Sequence, residues 1–333
     1  MLKTVEIDAF LKELGDDKGG MSNPILIIGN DGNTYLLKNQ NVYDPRIPGW
    51  TCWNSMFLHE ALVFEIAKFL DIKIPEGAII NVEQDFLNHA PTLNFRHRYT
   101  TGLHFASTFI DGSENNLRNG YELLRQMGKP YVKTSWNNFY KKIDNTNDIP
   151  KIIALDLLTG NFDRFGNNGN LLIAKNDGIR EIYVIDHGHC FHSPNWDLGK
   201  QKMLLSAGND PTYINSILQK FINCSGGKPM SGLGEIFRAI DQHIDVSDQN
   251  AHSFSDVVLK IESITSKMID GWFSSIPDSW FVDKPSQLHV YKSFILSQKD
   301  LIGTLINEMA KYGAFSSHTG GVLYWKSKKT GTQ

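Results

Sequence analysis

Asn161-Phe162-Asp163-Arg164-Phe165-Gly166-Asn167-Asn168-Gly169-Asn170, with Ile185-Asp186-His187-Gly188 further on, is the stretch on which the reading of this chain turns. The apolar pattern before it, Ile149–Thr159, predicts a helix. After it, Leu171–Ala174 and Ile182–Ile185 predict two strands around an Asn176-Asp177-Gly178 turn. The expected order is helix, polar loop, β-hairpin, and an Asp where the second strand ends. Phosphoryl transfer asks little covalent chemistry of a protein. It needs a carboxylate near the attacking hydroxyl and oxygen ligands for Mg²⁺. Mg²⁺ is a hard ion, held by one or two carboxylates while phosphate and water complete its octahedron. Asp163, an Asn five residues later and Asp186 beyond the hairpin supply those groups. Asn, Asp and Gly also crowd into ordinary loops. The Asp-to-Asn spacing alone is therefore weak, and the downstream hairpin with Asp-His-Gly gives it weight.

Toward the N-terminus, Pro24–Ile28 and Thr34–Lys38 flank Asn30-Asp31-Gly32-Asn33, a strong hairpin signal. Phe57–Leu70 predicts a helix with Val63, Ile66, Ala67 and Leu70 as its apolar stripe. Ala78–Val82 and Leu103–Ile110 predict further strands. An ATP site needs a cation for the phosphates and a group that holds that cation in place. Lys38, ending a predicted strand, suits the first role, against a bland reading as a solvated strand-end lysine. Glu60 and Glu65 are its candidate partners. At about 100° per residue, Glu60 borders the apolar stripe whereas Glu65 points away, so Glu60 is favoured and Glu65 is expected in solvent. Gly19-Gly20-Met21-Ser22 precedes the first strand of this hairpin. Such a turn brings backbone N–H groups and a hydroxyl over a triphosphate, with Gly20 and Ser22 as the contacts; a plain linker is the competing reading.

From about Trp196 onward helices dominate, and Phe254–Met268 and Leu288–Met309 are each expected as one helix. The lobe boundary is placed after Ile110. Residues 1–110 then form a β-rich N-terminal lobe and residues 111–333 a mainly helical C-terminal lobe, an α+β, two-lobed architecture. The chain's 333 residues, 41% hydrophobic and 21% charged, fit two lobes better than one compact unit. A net charge of −3 argues against bulk attraction to nucleic acid or anionic membrane. Cys52, Cys190 and Cys224 are odd in number and widely spaced, which suits a reducing cytoplasm. Glu6 and Asp8 interrupt the first apolar stretch, disfavouring a signal peptide. The longest apolar runs fall far short of the ~20 residues that span a bilayer. A soluble, cytoplasmic protein is expected.

The Asp163–Asp186 segment resembles the catalytic and metal-binding loops of HipA-like kinases and, more distantly, those of phosphatidylinositol-kinase-like enzymes. The resemblance implies a protein-kinase-like fold, with Asp163 as the catalytic Asp, Asn168 as a metal ligand and Asp186 as the main one. His187-Gly188 stands where ordinary protein kinases have Phe-Gly. Asn167 competes with Asn168, and the five-residue offset favours Asn168. Further upstream, Asp31-Gly32 with Tyr35-Leu36-Leu37-Lys38, His59-Glu60, Ile74-Pro75-Glu76 and Gly102-Leu103-His104-Phe105-Ala106-Ser107 follow the order found in one HipA-like branch. The matches run from Gly19 to Trp196, roughly half the chain. In some HipA-like proteins a serine of the phosphate loop is itself phosphorylated; Ser22 is the hydroxyl in that place here.

Other clusters read more blandly. His187, His189, Cys190 and His192 form a zinc-like run, but in an extended segment Cys190 faces away from His187 and His189, and no second Cys/His pair stands at suitable spacing. Arg164 suits a phosphate or a carboxylate equally. Asp156 either orients the loop or caps a neighbour. Trp196, Trp272, Trp280 and Trp325 are expected to pack the helical lobe, and Lys326-Ser327-Lys328-Lys329 reads as a solvated tail. The function implied by the resemblance is a Ser/Thr protein kinase using ATP and Mg²⁺ on a protein acceptor. Relatives include bacterial toxins regulated by a partner antitoxin, which leaves room for a regulatory protein partner. The alternatives are a small-molecule or lipid acceptor on the same site, an ATP-binding pseudokinase or scaffold, and a metal-dependent hydrolase.

Overall fold

In the computed structural model, residues 2–14, 21–43, 49–114, 126–128, 132–164, 170–224 and 234–325 are described. The β-rich half is a six-stranded sheet made of β1 (Lys3–Val5), β2 (Ile7–Glu13), β3 (Ile25–Gly29), β4 (Thr34–Leu37), β7 (Gly77–Val82) and β8 (Gly102–Thr108). Its order is β1-β7-β8-β4-β3-β2. The expected hairpin is present: β3 and β4 pair antiparallel, Ile25 facing Leu37 and Ile28 facing Thr34. Side chains alternate across this sheet as a pleated strand requires. Ile25, Ile27, Tyr35, Leu37, Ile80 and Ala106 share one buried cluster, whereas Ile79 and Phe105 belong to another.

The N-terminal strands were not legible in the sequence. β1 pairs parallel with β7 and β2 antiparallel with β3, so a stretch broken only at Glu6 serves both edges of the sheet. Both edges can meet one short stretch only if the sheet curls toward closure. Two further elements were unread: a hairpin of β5 (Asn41–Tyr43) with β6 (Trp50–Cys52), and an insertion between β7 and β8 carrying α2 (Gln84–His89) and α3 (Pro91–Phe95).

Helix α1 (Met56–Phe69) lies between the sheet and the helical half and is buried nearly all round. A helix apolar on every side belongs in a core, and its side chains join a cluster continuous with the helical half. That half contains α4 (Val132–Lys141), α5 (Asp148–Thr159), the hairpin β9 (Leu171–Asn176) and β10 (Ile179–Val184), then α6 (Leu198–Leu205), α7 (Pro211–Cys224) and α8 (Glu235–Asp241). The two long helices expected further on are each divided. Phe254–Met268 becomes α9 (Ser255–Glu262) and the start of α10 (Ser266–Ser274). Thr265 adopts extended backbone there and its side chain accepts from the Met268 N–H, an N-cap inside an unbroken apolar pattern. Leu288–Met309 becomes α11 (Lys284–Lys299) and α12 (Ile302–Lys311), separated at Asp300-Leu301. No described helix is long and apolar enough to cross a membrane.

Candidate active site

Lys38 follows β4 directly. Its N–H donates to the Phe105 carbonyl and its own carbonyl faces His104 Nδ1, each at 3.0 Å, which fixes the backbone. The side chain is buried and reaches Glu60 Oε1 of α1 and, at 3.1 Å, Asp186 Oδ1. Three elements far apart in sequence thus meet at one ammonium. Burial opposes the charge on Lys38, but the carboxylates of Asp186 and Glu60 outweigh it and hold the amine above its ordinary pKa. Burial pushes Glu60 up, with Lys38 only partly offsetting it. Burial also pushes Asp186 up, yet Lys38 prevails and the net shift is downward. Asp186 lies deep among protein atoms while 44% of its side-chain surface stays open, so the carboxylate retains a free face. Glu65 differs from expectation: it is half-buried and accepts from Ser275 Oγ at 3.4 Å, because the helical half covers that side of α1 too.

The loop carrying Asp163 is anchored from below. Gly160 ends α5 in the left-handed conformation, φ +59°, where a side chain would also press on the His192 ring. Asn161 then bridges: its amide donates to Asp156 Oδ1 at 3.1 Å, and its Oδ1 accepts from the Asp163 N–H at 3.2 Å. Arg164 is wholly buried and pairs with both Asp156 oxygens through Nε at 2.9 and 2.7 Å. Its Nη1 donates to the carbonyls of Asn170 at 2.7 Å and Ile185 at 3.2 Å. Of the two readings of Arg164, the carboxylate one holds, and Asp156 is what orients it. The guanidinium rivets the loop start to the hairpin end, which joins the segments carrying Asp163 and Asp186. Asn170, itself buried, donates its amide to Asp163 Oδ2 at 3.0 Å.

After the hairpin the chain is not extended. Asp186, Phe191 and His192 have φ of +61°, +56° and +71°, and strain of this kind persists only where surroundings over-determine it. The histidines of the zinc-like run therefore diverge. His187 Nδ1 faces Arg164 at 3.3 Å, His189 sits edge-on to Trp53, and His192 lies against Phe162 and Phe294. Cys190 is buried. Among the described residues no three His, Cys, Asp or Glu side chains gather as a metal cage. Mg²⁺ needs no such cage, since it keeps waters and phosphate oxygens around one or two carboxylates. The Asp186 carboxylate, with its open face, is a hard oxygen donor of the kind this ion takes.

Of the residues singled out in the sequence, Lys38, Glu60 and Asp186 are in contact, and Asp163 is joined to them through Asn170, Arg164 and Ile185. Gly20 and Asn168 lie outside the described residues, while Ser22 sits half-buried in a turn ahead of β3. No local pattern marks Asn170 for a role, and His59 is marked only by its place beside Glu60. No protein-family model and no curated protein matches the sequence. Among solved structures the chain is similar to a Helicobacter pylori proinflammatory kinase, CtkA, at 16% identity and TM-score 0.50, covering 96% of this chain and 100% of that one. The chain has a protein-kinase-like fold. Weaker likenesses are to hydra Fam20 with sugar (10% identity, TM-score 0.44, covering 97% of this chain and 90% of that one), and to the Golgi casein kinase with Mn/ADP bound (14%, 0.41, 95% and 74%). Lys38 follows a strand of the sheet, α1 lies between the halves, and the Asp163 segment and Asp186 flank the β9–β10 hairpin.

Proposed function

We propose that this chain is an ATP- and Mg²⁺-dependent phosphotransferase, a HipA-like Ser/Thr protein kinase that moves the γ-phosphoryl of ATP to a hydroxyl of a protein acceptor. The observation that carries this reading is the buried junction of Lys38, Glu60 and Asp186 inside a protein-kinase-like fold. Residues 1–110 form the nucleotide-binding lobe, and residues 111–333 carry the catalytic and metal loops. Lys38 presents a permanent positive charge to phosphate oxygens, and Glu60 keeps it aimed. Gly20 and Ser22 lie over the phosphates. Asp186 and Asn168 are the residues that hold Mg²⁺, which when bound neutralises charge on the phosphates. Asp163 receives or orients the acceptor's hydroxyl proton. Asn170 engages Asp163 Oδ2, which leaves Oδ1 to face the hydroxyl. The protein works in the cytoplasm, and a protein partner would regulate it.

Incubation with γ-labelled ATP, Mg²⁺ and a soluble proteome tests the reading. Wild type labels protein serine or threonine, and Asp163→Ala loses on the order of 10²–10⁴ of that rate while still binding ADP. Asp186→Ala loses the Mg²⁺-dependent part of nucleotide binding. A wild type that binds nucleotide and transfers label to nothing sinks the kinase assignment in favour of a scaffold. Phosphate release without any acceptor would point instead to a hydrolase.

A further inference from the structure

The turn that follows Asp186 is held from above by two consecutive residues of α1. Glu60 Oε1 accepts from the His187 N–H at 3.0 Å, and His59 Nδ1 lies 2.8 Å from the Gly188 carbonyl. Gly188 comes so close to α1 that a Cβ there would stand 2.5 Å from Met56 Cγ. His59 is wholly buried. Because a carbonyl can only accept, Nδ1 must carry the ring proton. Nε2 is then the acceptor, and it has two donors at 2.8 Å, the Tyr291 hydroxyl of α11 and Lys200 Nζ of α6. Burial and the neighbouring Lys200 keep the imidazole neutral, well below its ordinary pKa, which fits a ring with one donor and one acceptor. Lys200 in turn donates to the Ser193 carbonyl at 2.7 Å. The ring is thus clamped on its Nε2 side by the helical lobe and spends its single N–H on the strained turn.

We infer that His59 is a positioning residue for the metal site: its Nδ1–H bond to Gly188 fixes the turn that sets the direction of the Asp186 carboxylate. The inference rests on the reading of Asp186 as a cation ligand. Asp186 at φ +61° stays there only under constraint. Among the constraints are Arg164 on the Ile185 carbonyl, Glu60 on the His187 N–H and His59 on the Gly188 carbonyl. Of these, Glu60 also serves Lys38 and Arg164 also serves Asp156, whereas the His59 N–H serves this turn alone.

The test uses full-length protein with ADP and Mn²⁺, a paramagnetic stand-in for Mg²⁺, and reads bound metal by electron paramagnetic resonance. Asn places its amide where Nδ1 stands and Gln places it where Nε2 stands, so the two substitutions separate the two sides of the ring. His59→Asn keeps the wild-type Mn²⁺ affinity. His59→Gln weakens it about 10–100-fold, as losing a supporting partner of a metal ligand does. Both retain ADP binding in EDTA, which reports a folded nucleotide lobe. Tyr291→Phe touches only the Nε2 side, so it lowers the melting temperature and leaves Mn²⁺ affinity in place. Equal loss in the Asn and Gln variants, or loss in neither, overturns the inference while leaving the site reading intact. Wild type that takes up no Mn²⁺ with ADP overturns both. Histidine ¹⁵N spectra of wild type give a check that needs no variant: a His59 ring protonated at Nδ1 agrees, and one protonated at Nε2 refutes the bond.

Discussion

Lys38 sits between two carboxylates that burial would rather neutralise, and its charge opposes that effect at both. Glu60 is displaced upward in spite of it and Asp186 downward because of it. Replacing Lys38 by Met removes the offset, so both folded-state pKa values rise above their unfolded values. The folded state then binds more protons than the unfolded one as pH falls, and stability rises in that direction. The penalty of Lys38→Met is about 3 kcal/mol near neutral pH, the cost of breaking a buried pair. It should shrink steadily as the pH falls toward about 5, in urea melts run side by side with wild type. A penalty independent of pH would mean the carboxylates do not feel the ammonium. Asn170 makes a second prediction at this scale. Its amide is the described partner of the Asp163 side chain. In Asn170→Ala the carboxylate loses its fixed direction, and phosphoryl transfer falls about 10–100-fold with ADP affinity unchanged, since misplacing a reacting group costs this much.

Among the elements, the insertion between β7 and β8 ties down the strands around it. Its last residues grip both ends of the connection between β2 and β3, where Gly20 and Ser22 lie. His97 Nε2 meets Glu13 Oε2 at 3.0 Å at the close of β2. The buried Tyr99 hydroxyl lies 3.0 Å from the Asn23 carbonyl ahead of β3 and 3.1 Å from that of Leu37 beside Lys38. Tyr99→Phe leaves the packing and removes the bond, which costs about 1–2 kcal/mol in a buried setting. Because the freed carbonyls flank Lys38 and the connection proposed to lie over the phosphates, KM for ATP should rise while the rate at saturating ATP holds. A kinetic titration separates the two, and an unchanged KM would make the strap purely structural.

At the scale of the whole molecule, the lobes share a core instead of meeting across a gap. Phe57 of α1 and Phe105 of β8 both pack on Trp280, whose indole N–H donates to the Leu103 carbonyl at 2.8 Å. Ser55 and Trp196 are tied by backbone N–H groups to Pro194 and Asn54 respectively, at 3.0 and 2.8 Å. The upper sheet depends on its N-terminal stretch, because β1 covers the β7 edge and β2 the β3 edge. Deleting residues 1–6 strips the β7 edge of its partner. Hydrogen exchange should quicken across Gly77–Val82 and stay slow in Asp148–Thr159, which lies in the other lobe. Uniform quickening would show the lobes unfolding as one unit.

Local patterns were enough for much of this. The Asp-Gly turn between two apolar runs specified the β3–β4 hairpin, and the angular position of Glu60 beside the apolar stripe singled it out for Lys38, since both are properties of a few neighbouring residues. The helix divisions at Thr265 and Leu301 escaped because the apolar period continues across them, while the break is made by a cap and by packing. β1 and β2 escaped because a strand that serves two edges of one sheet is recognisable only when both edges exist. The tasks of Arg164, Asn170 and His59 depend on partners in other elements. His59 and the carbonyl it meets are 129 positions apart, and no spacing rule reaches that far. What the chain's order determined by itself was which chemistry is present and on which kinds of element. Its folding decided which of those groups touch, because burial and charge act through space and take no account of distance along the sequence.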